Sequence, residues 1–305
     1  MTSGERGVQR VLPRNPGHAE VFGQAGFEST LAFTMTELPD DLGLGLRTDL
    51  MLLHGSARIE VRSDAVAVVS PGNPDFYLGN VLMLRTEPAI EAIPMWRDRF
   101  ADRVDRNPGI QHESFVWCAR GAGDGVAQAW RDAGFEVSRA VVLACSPDAL
   151  MAPPAPATPA VLRPARRSDL PALWRLYARF ERAQHGGVLP PAQRRFLRGR
   201  IVDFAQRVQA GAGDWHLAVV HERPAAALGL FLHAGIGRFQ EVLTDARFRR
   251  RGLCSALVYG AAVQAGTQGA RRLVMVADPS SAAIGLYRTL GFRDIEEVIT
   301  ACKVS

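Results

Sequence analysis

The stretch Glu241-Val-Leu-Thr-Asp-Ala-Arg-Phe-Arg-Arg-Arg-Gly-Leu-Cys-Ser-Ala-Leu257 constrains this chain most. Phe239 to Thr244 has the Val and Leu content of a short strand, and Asp245 to Arg251 is a charged turn. From Gly252 or Leu253 onward, Leu253, Ala256, Leu257, Val258, Ala261 and Val263 read as a buried helix. A strand that turns sharply into a glycine-started helix aims several backbone N–H groups at one point, where the helix dipole adds positive potential. A diphosphate suits such a place. Gly252 has no side chain to hold phosphates off, Cys254 and Ser255 are small, and Arg249, Arg250 and Arg251 supply countercharge. A solvated basic turn has the same composition, so these residues alone leave both readings open.

The spacing adds a resemblance. Arg249-x-x-Gly252-x-Cys254 resembles the Arg/Gln-x-x-Gly-x-Gly/Ala pyrophosphate loop of the GNAT superfamily of N-acetyltransferases, and Val242 to Phe248 resembles its strand end and lead-in. Downstream, Ala283-Ile-Gly-Leu-Tyr-Arg-Thr-Leu-Gly-Phe292 is similar to that family's second signature helix, Ala-Ile-x-Leu-Tyr-x-x-x-Gly-Phe. Cys254 stands where Gly or Ala is usual, and Ser280 where Asn is frequent. The resemblance covers roughly residues 161–303. It implies an α/β class with a mixed α+β sheet, GNAT-like in the C-terminal domain.

It further implies acetyl-CoA as acyl-donor co-substrate, held by Val242, Leu243, Thr244, Arg249, Arg250, Arg251, Gly252, Leu253, Cys254, Ser255 and Ser280. In such a fold two neighbouring strands diverge beside Val242–Thr244, whose backbone then pairs with the amide-rich pantetheine arm. The Val242 amide would face the thioester oxygen. Tyr287 matches the family tyrosine that protonates the departing thiolate, a proton a phenol can supply because its pKa lies above that of a thiol. Glu241 is the candidate base, although strand alternation turns it away from Val242 and Thr244 unless a bulge re-aims it. His233 and a water relay are alternatives. The implied activity is acetyl transfer to an amine of a small molecule or peptide by direct attack in a ternary complex; the alternative is a non-catalytic acyl-CoA-binding sensor or regulatory protein. The acceptor site is expected from Arg182 to Arg195 and the first half's inner surface, where arginines hint at an acidic acceptor.

The 305 residues suit two domains. Pro153-Pro-Ala-Pro-Ala-Thr-Pro159 marks a linker, so the expected division is residues 1–146, a linker at 147–160, and a catalytic domain at 161–305. A faint repeat supports a degenerate GNAT-like copy in the first half: Gly134, Phe135, Val141, Ala144 and Cys145 recur as Gly291, Phe292, Val298, Ala301 and Cys302, each 157 residues on. The first half has no Arg-x-x-Gly-x-Gly, so its expected role is structural. Leu42-Gly-Leu-Gly-Leu46 reads as a loop, and Tyr77 to Leu84 as one strand.

Charge is uneven, net −6 over residues 1–150 and +11 over 151–305. A basic half suits a polyanionic coenzyme. Nucleic acid is not expected as a partner, because no aromatic–basic interleaving accompanies the arginines. The four cysteines form no Cys-x-x-Cys pair and the histidines are scattered, so no metal and no disulfide is expected. No run is apolar enough to span a membrane and the N-terminus lacks a signal-peptide core, so the expected location is cytoplasmic.

Overall fold

The computed structural model describes residues 41–304 apart from 54–56, 75, 105–108 and 120–123, and describes no side chains at 192, 195, 196 and 203. The weak helix–strand pattern at Glu20–Met35 lies outside these residues. The chain forms two compact units. Among the described residues, one holds 143–294; the other takes those from 41 to 142 and, from the far end of the chain, 295–304. Packing thus divides the chain elsewhere than the sequence reading did. The proline-rich segment 147–160 belongs to the C-terminal unit, and the last strand belongs to the N-terminal one.

The N-terminal unit opens with helix α1 (Leu44–Leu53), followed by β1 (Arg58–Val61), β2 (Ala65–Val69) and β3 (Val81–Leu84). Helix α2 (Ile93–Arg103), β4 (His112–Ala119), α3 (Asp124–Asp132) and the larger part of β5 (Glu136–Cys145) complete its first stretch. β11 (Arg293–Val304) pairs antiparallel with β4, from Glu297 opposite Ala119 to Val304 opposite His112. Phe100, Phe115, Trp117, Trp130, Phe135 and Ile299 share one core.

Two local readings need correction. Leu42–Leu46 is not a loop but the entry to α1. Leu42, Leu46 and Leu50 are buried one turn apart, which offsets the helical cost of Gly45. Gly43 and Gly45 let neighbouring side chains come close: a Cβ on Gly45 would meet Val142 Cγ2 at 2.6 Å, and one on Gly43 would meet Cys118 Sγ at 2.2 Å. Tyr77–Leu84 is not one strand but a 3-10 turn at Tyr77–Gly79 followed by β3. The buried Asn80 side chain accepts from Ser70 N–H (2.9 Å) and donates to the Asn73 and Phe76 carbonyls, which pins that turn.

The repeat has a structural counterpart. At the end of α3, Gly134 (φ +87°) donates to the Arg131 carbonyl and Phe135 to that of Trp130. At the end of α7 (Ala283–Thr289), Gly291 (φ +99°) donates to Arg288 and Phe292 to Tyr287. Both are left-handed helix ends that a Cβ would strain. The match sets Trp130 in the place of Tyr287, and Trp130 is buried among Phe115, Trp117 and Phe135.

The C-terminal unit runs β6 (Val161–Pro164), α4 (Leu170–Gln184), α5 (Pro191–Gln209), β7 (Gly213–Val220), β8 (Arg223–His233), β9 (Ile236–Thr244), α6 (Leu253–Thr267), β10 (Arg272–Ala277) and α7. Its strands lie in the order β6-β7-β8-β9-β10. The first three pairings are antiparallel and β9–β10 is parallel. This is the mixed α+β sheet that the resemblance implies for the C-terminal domain. Among the described residues no helix is long and apolar enough to cross a membrane.

Candidate active site

The site starts from a flaw in β9. Ala227 of β8 faces Leu243 and Gly229 faces Gln240, so Leu228 stands opposite two residues, Glu241 and Val242. Glu241 takes φ +51°, the extra residue of a β-bulge. On the other side of β9, pairing with β10 ends at Arg238 opposite Val274, although the strands continue to Thr244 and Ala277. The two strands therefore part just before the bulge, and the β9 backbone from Phe239 to Thr244 leaves the β10 ladder. Such a parting suits an extended amide-bearing ligand, which can pair as an added strand.

Beyond Thr244 the chain forms a tight turn and enters α6. The Asp245 side chain caps that turn by accepting from Arg247 N–H, and it also binds the Arg247 guanidinium. Burial pushes the Asp245 carboxyl up, but bonds from Arg247 and the charge of Arg179 outweigh it and hold it below the usual range. Arg250 (φ +58°) and Gly252 (φ +76°) are both left-handed. Ala256 N–H is the donor to Gly252, so the amides of Leu253, Cys254 and Ser255 lie ahead of the first intrahelical bond. They form the donor cluster that the sequence suggested.

The arginines do not converge on it. Arg249 Nε donates back to the Thr244 carbonyl (3.4 Å), Arg250 is exposed, and Arg251 lies over the Phe248 ring and beside the Thr158 hydroxyl (3.4 Å). The proline-rich segment runs along the same loop: Ala157 N–H donates to the Arg251 carbonyl (3.0 Å). A Cβ on Gly252 would meet Pro156 Cα at 3.2 Å. The glycine is thus required by its φ and by the chain's own strap.

Behind the start of α6 lies Tyr287. It is 1% exposed and its hydroxyl has no hydrogen-bond partner. Burial, and then the neighbouring Cys254, push its pKa well above 10. Burial also pushes the Cys254 thiol up to about 11, with the adjacent Thr244 side chain pulling the other way. The Thr244 hydroxyl is likewise buried, set against the Cys254 thiol. An orphaned buried hydroxyl is costly and calls for an explanation such as a missing ligand. The Tyr287 hydroxyl, beside a helix N-terminus and a strand parting, fits a pantetheine thioester. Ser280 is exposed in the turn before α7, bonded to Asp278 (2.6 Å), while Ser281 accepts from Ala283 N–H at the helix entry.

The bulge re-aims Glu241 into a narrow pocket, partly open to solvent, lined by Tyr177, Glu181, Gln193, Leu197, Arg200, Ile201, Phe204, Trp215 and Glu241. Arg200 donates to the Glu241 carboxylate, and the Tyr177 hydroxyl donates to its carbonyl at 2.6 Å. Gln193 Nε2 donates to Glu181 (3.0 Å). Burial first, and the Glu241 charge second, push Tyr177 well above 10. His233, the other candidate base, pairs with Ile236 at the opposite end of β9 from Thr244, a strand length away from the bulge.

The structure therefore brings Thr244, Arg249, Cys254 and Tyr287 together, and places Glu241 in a side pocket on the same strand. Gln193 falls in the stretch Arg182–Arg195 expected to build the acceptor site, whereas sequence reasoning missed Tyr177, Glu181, Arg200 and Trp215. They come from α4, α5 and β7, and no local motif joins them. The one available signal was the apolar face of Leu173, Leu176, Tyr177 and Phe180, which read as plain core.

Residues 216–300 match the family model described as FR47-like protein. No curated protein matches the chain. Among solved structures it resembles a functionally unknown conserved protein from Staphylococcus epidermidis ATCC 12228, with TM-score 0.64 and 13% identity over 82% of this chain and 95% of that one. A GCN5-related N-acetyltransferase from Kribbella flavida gives TM-score 0.60 and 17% identity, covering 86% and 96%. A tandem GNAT protein from the clavulanic acid biosynthesis pathway gives 0.51 and 12%, covering 85% and 87%. At these identities the likeness establishes the fold. It is GNAT-like in the C-terminal part, with a second, GNAT-like N-terminal part.

Proposed function

We propose that the protein is an N-acetyltransferase that moves an acetyl group from acetyl-CoA to an amine. The observation that carries this reading is the coincidence of three features in the C-terminal unit: the parting of β9 from β10, the amide cluster at the start of α6, and the unpartnered Tyr287 hydroxyl. Acetyl-CoA, when bound, supplies an activated acetyl thioester.

The chain's own residues account for the rest. The amides of Leu253, Cys254 and Ser255, with the Arg249–Arg251 backbone, hold the diphosphate at the helix N-terminus. Val242–Thr244 offer strand hydrogen bonds to the pantetheine amides, and the Val242 N–H polarises the acetyl carbonyl. Glu241, turned by its bulge toward the acceptor side, receives the proton that the attacking amine loses. Tyr287 gives its phenolic proton to the departing sulfur; its raised pKa keeps it protonated throughout the neutral range. The N-terminal unit has Trp130 at the position matching Tyr287, and Trp130 is packed into the aromatic core. We assign that unit a structural role.

Calorimetric titration with acetyl-CoA and thiol release across an amine panel test the reading. Tight acetyl-CoA binding with amine-dependent thiol release supports it. Binding without release under any amine would make the chain a sensor, and absence of binding would remove coenzyme A from its function.

A further inference from the structure

The proline-rich segment ahead of β6 does more than join two parts of the chain, an inference that rests on the acetyltransferase reading above. We propose that this strap is a positioning element of the coenzyme site: Ala157 holds the Arg251–Gly252 peptide with its N–H turned toward the diphosphate, and Met151 ties that loop to the helix that carries Tyr287.

The argument begins with one peptide unit. Ala157 N–H donates to the Arg251 carbonyl at 3.0 Å. In a planar trans peptide the C=O and the N–H point to opposite sides, so a carbonyl fixed on the strap sends the Gly252 N–H away from it. That amide then adds to those of Leu253, Cys254 and Ser255, which lie ahead of the first intrahelical bond of α6. The reverse orientation would turn the negative end of the peptide dipole on the phosphates.

Backbone strain shows that the loop needs a holder. Arg250 sits at φ +58° and Gly252 at φ +76°. A left-handed arginine is kept only where its surroundings over-determine it. The strap supplies that constraint at the next two residues. The Thr158 hydroxyl accepts from Arg251 Nη1 (3.4 Å), and the same guanidinium lies 5.4 Å from the centroid of the Phe248 ring. Pro156 Cα stands 3.2 Å from where a Gly252 Cβ would be, which closes the loop from that side.

The strap is stiff and is anchored at its other end. Pro153, Pro154, Pro156 and Pro159 fix φ at four positions, so little freedom is lost when it docks. Met151 N–H donates to the Leu290 carbonyl (3.1 Å), just past the end of α7. The Ala149 carbonyl oxygen lies 2.4 Å from where a Gly291 Cβ would stand. One short segment thus joins the helix of Tyr287 to the diphosphate loop, and sets the groups that serve the two ends of the coenzyme in a single frame. Met151, Ala157 and Thr158 act through the loop and touch no substrate. A loop that is competent only part of the time lowers apparent affinity by that fraction and leaves the chemical step alone.

The test uses the full chain and two variants. A157P removes the N–H donor; P154G/P156G keeps it and loosens the strap, and decides alone if A157P does not fold. Trypsin digestion without coenzyme, read by mass spectrometry at Arg249–Arg251, reports how firmly the loop is held. Both variants should be cut there about 10-fold faster, because native-state cleavage follows local opening. Calorimetry should show acetyl-CoA binding about 10-fold weaker, and thiol release should show KM for acetyl-CoA raised by the same factor with kcat within about 2-fold of wild type. A strap with a merely structural role would lower the melting temperature and leave KM unchanged. Wild type that does not bind acetyl-CoA would sink the acetyltransferase reading; faster cleavage in the variants would even then support the strap as the holder of the loop. Acetyl-CoA binding by wild type with unchanged affinity in the variants, or unchanged cleavage at the loop, would overturn the proposal and leave that reading standing.

Discussion

Replacing Tyr287 by Phe separates a catalytic hydroxyl from a structural one, because the two roles predict opposite signs of stability change. The Tyr287 ring is 1% exposed and packs edge-on toward Phe292, and its hydroxyl makes no hydrogen bond. An unsatisfied buried polar group costs about 1–3 kcal/mol, whereas loss of an ordinary hydrogen bond would destabilise by about 1 kcal/mol. Phe keeps the ring and removes the penalty. Y287F should therefore be more stable by roughly 1–2 kcal/mol, a rise of about 2–4 °C per kcal/mol for a unit of this size. Turnover should meanwhile fall by about 100-fold or more, the ordinary contribution of a positioned general acid. The advantage should also widen in alkali. Tyr287 has its pKa raised in the folded state, so its contribution to stability is complete below about pH 10 and is lost as pH rises through the higher folded value. Urea unfolding of both proteins at pH 8 and pH 10.5, with thiol-release kinetics at pH 8, measures all three. A Y287F protein less stable than wild type would show that the hydroxyl has a partner in the fold, and undiminished turnover would remove Tyr287 from the chemistry.

Other substitutions probe neighbouring parts. G252A places a Cβ at φ +76° and 3.2 Å from Pro156 Cα, and should cost about 1–2 kcal/mol in urea unfolding while weakening acetyl-CoA binding measured by calorimetry. R200A removes a guanidinium donor from Glu241 and should cost about 1–3 kcal/mol, with a loss of kcat/KM that R200K only partly recovers. His112, in the N-terminal unit, has its pKa lowered to about 4 by burial, with its bond to the Asn80 carbonyl opposing. Its contribution to stability is present above about pH 6.5 and lost as pH falls through 4, on the order of 3 kcal/mol in all. The acid limb of a stability–pH profile should be flatter in H112F by that amount.

Short-range order carried much of this protein in the chain itself. The helix at Leu253, the left-handed ends at Gly134 and Gly291, the strand meander from Gly213 to Thr244 and the amide cluster past Gly252 all follow from local rules: apolar period, turn residues and glycine at positive φ. Those rules act between residues a few positions apart, so one linear stretch displays them. The pocket follows no such rule. Glu241 faces Arg200 only because a bulge shifts the β8–β9 register by one residue, and register is a property of two strands and not of either one. Gly43 and Gly45 at the start of α1 are held against Cys118 and Val142, which leave no room for a Cβ, and Gly252 is enclosed by Pro156 from a segment that reads as a free linker. Burial, the loss of partners at Tyr287 and the gathering of two glutamates with one arginine depend on which distant segments meet, and only folding in three dimensions decides that.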